Sequence, residues 1–201
     1  MNTTKLRKLA ATGFAAALAG GLALSFSPLA ADAATYTCNG QRATIVGTNG
    51  NDDIVGTSGR DVIVSLGGHD EIDGRGGNDI ICSGSGNDEV EGGSGNDWID
   101  AGSGHDEVDG DSGHDVIRGG SGHDSLEGGS GNDTIYGGTG NDHIEGDSGN
   151  DKLSGQDGHD LVEGNRGTDK LSGGAGRDIL AQGSVSERVE DRWEDRYGYD
   201  D

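Results

Sequence analysis

From residue 47 to residue 181 an aliphatic side chain returns at every ninth position without a slip, from Ile54 through Ile63 and Ile72 to Leu180. The intervening residues are mostly polar or glycine. Clear copies of the unit are GGSGNDWID (92–100), GGSGHDSLE (119–127), GGSGNDTIY (128–136) and GGTGNDHIE (137–145). Fifteen such nonapeptides follow one another, with Gly at the fourth position (Gly50 to Gly176) and Asp at the sixth (Asp52 to Asp178) in all of them. A short fixed period is the mark of a solenoid. Each unit divides into six turn residues and three strand residues. Gly at the first, second and fourth positions permits backbone angles that a Cβ forbids. The fifth position is mostly Asn or His, which tolerate the left-handed region better than most residues. The remaining triplet predicts a three-residue strand whose aliphatic centre points one way and whose neighbours point the other. The expected fold class is all-β.

The pattern G-G-x-G-x-D-x-U-x resembles the RTX, or haemolysin-type, calcium-binding repeat, over about two thirds of the chain. The resemblance implies a right-handed parallel β-roll in which two units make one coil, about seven coils in all. Units on one side are then eighteen residues apart. Asp52, Asp70, Asp88, Asp106, Asp124, Asp142, Asp160 and Asp178 stack along one edge. Asp61, Asp79, Asp97, Asp115, Asp133, Asp151 and Asp169 stack along the other. Neighbouring strands lie roughly 4.8 Å apart, and carboxylates that close repel unless a cation sits between them. Calcium takes six to eight hard oxygen ligands, carboxylates and carbonyls among them. In the family each ion lies between successive turns on one edge, so seven and six gaps allow at most about thirteen ions. Unit three (SLGGHDEID) and units thirteen and fourteen (GQDGHDLVE, GNRGTDKLS) lose glycines to larger residues, and weaker sites are expected there. Without calcium, the low apolar content and high charge describe a disordered Gly/Asp-rich chain.

The flanks differ from the repeats. Residues 1–33 read as a secretory signal peptide: Lys5, Arg7 and Lys8, an Ala-rich apolar stretch to about Phe26, then Ala31-Asp32-Ala33 as a cleavage site. RTX proteins usually leave by an uncleaved C-terminal signal instead. A membrane anchor is the alternative for this stretch. No other segment is apolar enough to span a bilayer. Residues 34–46 (ATYTCNGQRATIV) favour strand and are expected to cap the first coil. The two cysteines, Cys38 and Cys82, suggest one disulfide in an exported protein, with two free thiols as the alternative. Outward positions on odd-numbered units are acidic (Asp53, Glu71, Asp73, Glu89, Glu91, Glu107, Asp109). On even-numbered units they begin apolar (Val62, Val64, Ile80, Cys82, Trp98, Val116). Residues 34–46 are expected to fold over that stripe, pinned by Cys38–Cys82. The rival reading leaves the stripe exposed to a partner. In residues 182–201, Val185, Val189, Trp193 and Tyr197 recur every four residues, and Ser184 with Glu187 fits a capping box. A short closing helix is expected, against a frayed charged tail.

Formal charge is −23, and −25 without residues 1–33. Such a chain does not fit nucleic acid, and without counter-ions it repels itself. One aliphatic side chain per unit is a thin core, so metal binding and folding should coincide. No H-E-x-x-H or G-x-S-x-G occurs, and no catalytic constellation stands out from the period. His69, His105, His114, His123 and His159 all hold the fifth position and read as Asn substitutes. A transition-metal pair at His105 and His123 would be a poor site with two ligands. The expected function is extracellular calcium binding with calcium-induced folding and no catalysis. The alternatives are an adhesion, ice-binding or protein-interaction module, or an accessory module of a secreted enzyme. Any protein or surface partner is left open.

Overall fold

A computed structural model describes residues 7–9 and 36–183. The first strand is β1 (Arg7–Leu9). A short antiparallel hairpin follows, β2 (Thr37–Cys38) with β3 (Gln41–Arg42), and then β4 (Ile45–Val46). The repeats supply β5 (Asp53–Val55), β6 (Val62–Val64), β7 (Glu71–Asp73), β8 (Ile80–Ser85), β9 (Glu89–Glu91) and β10 (Trp98–Ser103). They continue with β11 (Glu107–Asp109), β12 (Val116–Ser121), β13 (Ser125–Glu127), β14 (Thr134–Thr139) and β15 (His143–Glu145). The last are β16 (Ser148–Gly149), β17 (Lys152–Gly158), β18 (Leu161–Glu163), β19 (Arg166–Gly167), β20 (Lys170–Gly176) and β21 (Ile179–Ala181). No helix occurs among the described residues.

Successive repeat strands alternate between two parallel sheets. One runs β1-β5-β7-β9-β11-β13-β15-β18-β21, and the other β4-β6-β8-β10-β12-β14-β17-β20. Pairing steps by eighteen residues: Val108 lies against Val90 and Leu126, and Ile99 against Ile81 and Ile117. The architecture is a parallel β-roll of about eight turns. An eighteen-residue coil made of two like nonapeptides turns the eighth-position side chains inside as far as Val162; Leu171 is partly buried against them and Leu180, in the last unit, is 48% exposed. Ile54, Ile63, Ile72, Ile81, Val90 and their successors to Val162 form one continuous column between the sheets. Fully burying one such aliphatic contributes about 1.5–3 kcal/mol, and each coil supplies only two.

A second, smaller core lies outside the solenoid. Cys38, Ala43, Val62, Val64 and Ile80 pack together, with Tyr36, Leu66, Cys82 and Trp98 against them. The β2–β3 hairpin therefore covers the start of the apolar stripe, burying Val62, Val64 and Ile80, while Trp98 and Val116 stay half-buried. Cys38 and Cys82 are disulfide-bonded, with Cα atoms 5.8 Å apart. Strand β4 extends the sheet that begins with β6, while β1 lies on the open edge of β5, with Arg7 opposite Asp53. Apart from Arg7–Leu9, the expected leader lies outside the described residues, as does the expected closing helix from residue 184 onward.

Candidate metal centre in the stacked turns

The six turn residues of each unit place the sixth-position aspartate at the bend, just before its strand. Asp70, Asp79, Asp88, Asp97, Asp106, Asp115, Asp124, Asp133, Asp142, Asp151 and Asp160 are each at most 2% exposed. Asp61 and Asp169 are buried, and Asp52 and Asp178 half-buried at the ends. The structure brings them together in two rows with a step of one coil. Within a row, the Oδ1 of each aspartate accepts the backbone N–H of the aspartate eighteen residues earlier. The Asp97 N–H donates to Asp115 Oδ1 at 2.7 Å, and the Asp106 N–H to Asp124 Oδ1 at 3.0 Å. This ladder fixes the carboxylate plane. In twelve of the fifteen, from Asp70 to Asp169, the second oxygen, Oδ2, is buried and has no hydrogen-bond partner.

Glycine makes the space for that oxygen. A Cβ on Gly119 would come within 2.4 Å of Asp124 Oδ2, and one on Gly137 within 2.3 Å of Asp142 Oδ2. The fourth-position glycines let the coils stack. Gly122 has φ +139°, and its Cβ would fall 1.5 Å from the Gly104 carbonyl. Together they form a narrow gap lined by main chain and one orphaned carboxylate oxygen per turn. Loss of solvent raises the carboxyls of the ten turns from Asp79 to Asp160 despite the backbone hydrogen bond that opposes it. Asp142 is pushed up to about 8, with Asp124 and Asp160 adding repulsion. Asp106 and Asp115 are pushed up to about 7, and Asp79, Asp97, Asp124, Asp133 and Asp160 to about 6. Positive charge is what such oxygens lack, and a hard divalent ion with oxygen ligands fits the donor set.

The first two turns are built differently. Asp52 Oδ2 accepts the Thr48 N–H and the Thr48 hydroxyl, the latter at 2.9 Å. Asp61 Oδ2 accepts the Thr57 N–H at 2.7 Å and the Thr57 hydroxyl at 2.8 Å. In later units the second position takes a left-handed conformation even where it is not glycine, as at Arg75 (φ 69°), Asp111 (φ 65°) and Asn165 (φ 57°); Thr48 and Thr57 do not.

The fifth-position histidines behave as asparagines. The Nδ1 of His105 accepts the His123 N–H at 2.8 Å, and that of His123 the Asn141 N–H at 2.6 Å. His69, His114 and His159 accept the N–H of Asn87, Asn132 and Arg177 in the same way. Asn87 Oδ1 does the equivalent for the His105 N–H at 3.0 Å. His105 and His123 stack at 5.1 Å, but an Nδ1 engaged by main chain is not set to chelate. One cluster escaped the sequence reading. On the outer face, His143 Nε2 lies 3.4 Å from Glu145 and 3.9 Å from the buried Glu163. The signal was a histidine at the seventh position, where acidic residues preceded it, beside ninth-position glutamates one coil apart.

A family model described as RTX calcium-binding nonapeptide repeat (4 copies) matches residues 46–81, 83–117, 109–144, 118–153 and 145–180. No curated protein matches the sequence. Because those matches run through nearly every coil of the solenoid, the chain belongs to the RTX calcium-binding nonapeptide-repeat family.

Proposed function

We propose that this chain is an exported, stand-alone β-roll that binds calcium along both edges, folds as it does so, and carries no catalysis. The observation that supports it is the double row of buried, unpartnered Oδ2 atoms. A buried oxygen without a partner costs free energy, and a buried charge costs more. Calcium supplies the missing charge and accepts carboxylate and carbonyl oxygens in a flexible shell. Magnesium demands a tighter octahedron and gives up its water reluctantly.

The protein's part is to prepare the oxygens. Each Asp Oδ1 is held by a main-chain N–H of the neighbouring coil, which turns Oδ2 into the gap. The first-position glycine leaves room for it. Residues 1–33 direct export, residues 34–46 cap the roll, residues 47–181 carry the sites, and residues 182–201 close the far end. The disulfide accords with an oxidising compartment. A protein or surface partner is a second reading. Arg118 is held over the rings of Trp98 (5.1 Å) and Tyr136 (5.7 Å) on the outer face, and these residue types concentrate binding energy at interfaces. Capture from culture medium with and without calcium tests it.

Far-UV circular dichroism of the chain from residue 34 tests the main proposal, titrated with calcium and, separately, magnesium. A cooperative change from coil to β-sheet with calcium alone is expected. A spectrum already folded in chelator throughout, and indifferent to calcium, would overturn it.

A further inference from the structure

We propose that the first coil is a metal-independent seed, from which calcium-driven folding spreads towards the C-terminus. The inference rests on the calcium reading of the later turns and sets where that reading stops. In turns one and two the oxygen that is orphaned elsewhere is already satisfied. Thr48 and Thr57 each give Asp52 and Asp61 a main-chain N–H and a hydroxyl. The clamp closes on the turn itself. The Gly50 N–H donates to Thr48 Oγ1 at 3.3 Å, and the Gly59 N–H to Thr57 Oγ1 at 3.1 Å.

The backbone differs accordingly. Neither Gly50 nor Gly59 takes the positive φ seen at Gly68, Gly77 and Gly86. A Cβ at either would meet nothing closer than 3.9 Å, whereas at Gly86 it would strike the Gly68 carbonyl at 1.7 Å. That freedom reflects the open end of the roll, where no coil precedes Gly50 or Gly59; the first-position glycines still face the carboxylate, a Cβ on Gly47 falling 2.8 Å from Asp52 Oδ2 and one on Gly56 3.2 Å from Asp61 Oδ2. These turns hold a neutral donor where the others need a cation, which lowers the ceiling of bound ions by one on each edge.

Two further features keep this end together without metal. Thr44 ties β4 to the first coil, its hydroxyl accepting the Val62 N–H at 2.8 Å. The hairpin's apolar cluster and the Cys38–Cys82 bond then hold β6 and β8 from outside. Nothing comparable reinforces the described coils beyond Trp98. An ordered end removes the cost of nucleating the first coil, so each later ion needs to order only the next turn.

The test is hydrogen exchange read by mass spectrometry on the oxidised chain from residue 34, in chelator and in calcium. In chelator, amides of residues 44–64 should exchange at least about tenfold more slowly than those of residues 120–180. In calcium the whole roll should be protected. The T48G/T57G variant restores the glycine used by most later turns. It should lose the chelator protection of residues 44–64 while residues 120–180 keep theirs in calcium. Equal exchange of both regions in chelator, or protection untouched by T48G/T57G, would overturn the seed. A chain that calcium fails to protect anywhere would refute the calcium reading itself.

Discussion

At Asp124 one carboxylate oxygen is tied to the Asp106 N–H and the other is buried without a partner. The split sets the pH behaviour of the metal-free roll. Eight turn carboxyls, Asp79, Asp106 and Asp142 among them, rise from 3.8 to between about 6 and about 8, chiefly by loss of solvent. The folded metal-free state therefore binds more protons than the unfolded chain between about pH 4 and pH 8. Its stability is greatest below the unfolded value and falls as pH rises through the folded ones. Far-UV circular dichroism in chelator should show more β-structure at pH 5 than at pH 8. Calcium displaces those protons, so its apparent affinity should rise with pH over the same window, by up to about tenfold per pH unit for each proton released. Titration calorimetry in buffers of different ionisation enthalpy measures that release. The residue scale also separates glycines that look alike in the sequence. Gly122→Ala drives a Cβ to 1.5 Å from the Gly104 carbonyl and requires a left-handed alanine. It should cost at least about 1–3 kcal/mol in calcium-loaded melts. Gly50→Ala, in the threonine-clamped turn, should stay within about 0.5 kcal/mol.

Among the elements, the β2–β3 hairpin is the one that the period did not dictate. It lies across the outer face of β6 and β8, where Val62, Val64 and Ile80 form an apolar patch that the acidic sheet lacks. Replacing both cysteines by serine (C38S/C82S) should lower stability by about 2–4 kcal/mol, through the closed loop the bond removes from the unfolded chain. Trp98 packs against the same cluster, so its fluorescence should shift to the red when the hairpin detaches. Native-like emission together with an unchanged melting midpoint would mean that the hairpin adds nothing. The two outer faces of the roll thus differ in kind. Glu89, Glu91 and Glu107 stand in solvent on one, while the other is covered at its start by the hairpin and carries Arg118 between two rings further on.

Across the whole molecule, a core with two aliphatics per coil faces an acidic chain whose formal charge is −23. Self-repulsion and a thin core should leave the calcium-free chain expanded. Size-exclusion chromatography in chelator should give a larger apparent radius than in calcium, and magnesium at equal concentration should not reproduce the compaction. An apparent radius that is the same in all three conditions would mean that charge neutralisation is not what closes the roll.

The nine-residue period by itself determined the strands, the turns, the aliphatic column and the aspartate rows. It could do so because a repeating unit puts chemically equal residues in equal places. Cys38 with Cys82, and the stripe between them, were legible for the same reason: Val62, Val64 and Ile80 broke the alternation of polar outward positions. What the period cannot carry is any relation that depends on how one coil lies over the next. Only the stacked coils decided that Oδ1 is consumed by a main-chain N–H while Oδ2 is left over. They also decided that histidine Nδ1 replaces asparagine Oδ1. Tertiary packing brought His143 to Glu163 across one coil. Thr48 and Thr57 read in the sequence as small deviations from glycine. Their hydroxyls matter because the folded turn places them beside Asp52 and Asp61, where the turns from Asp70 to Asp169 leave the same oxygen open.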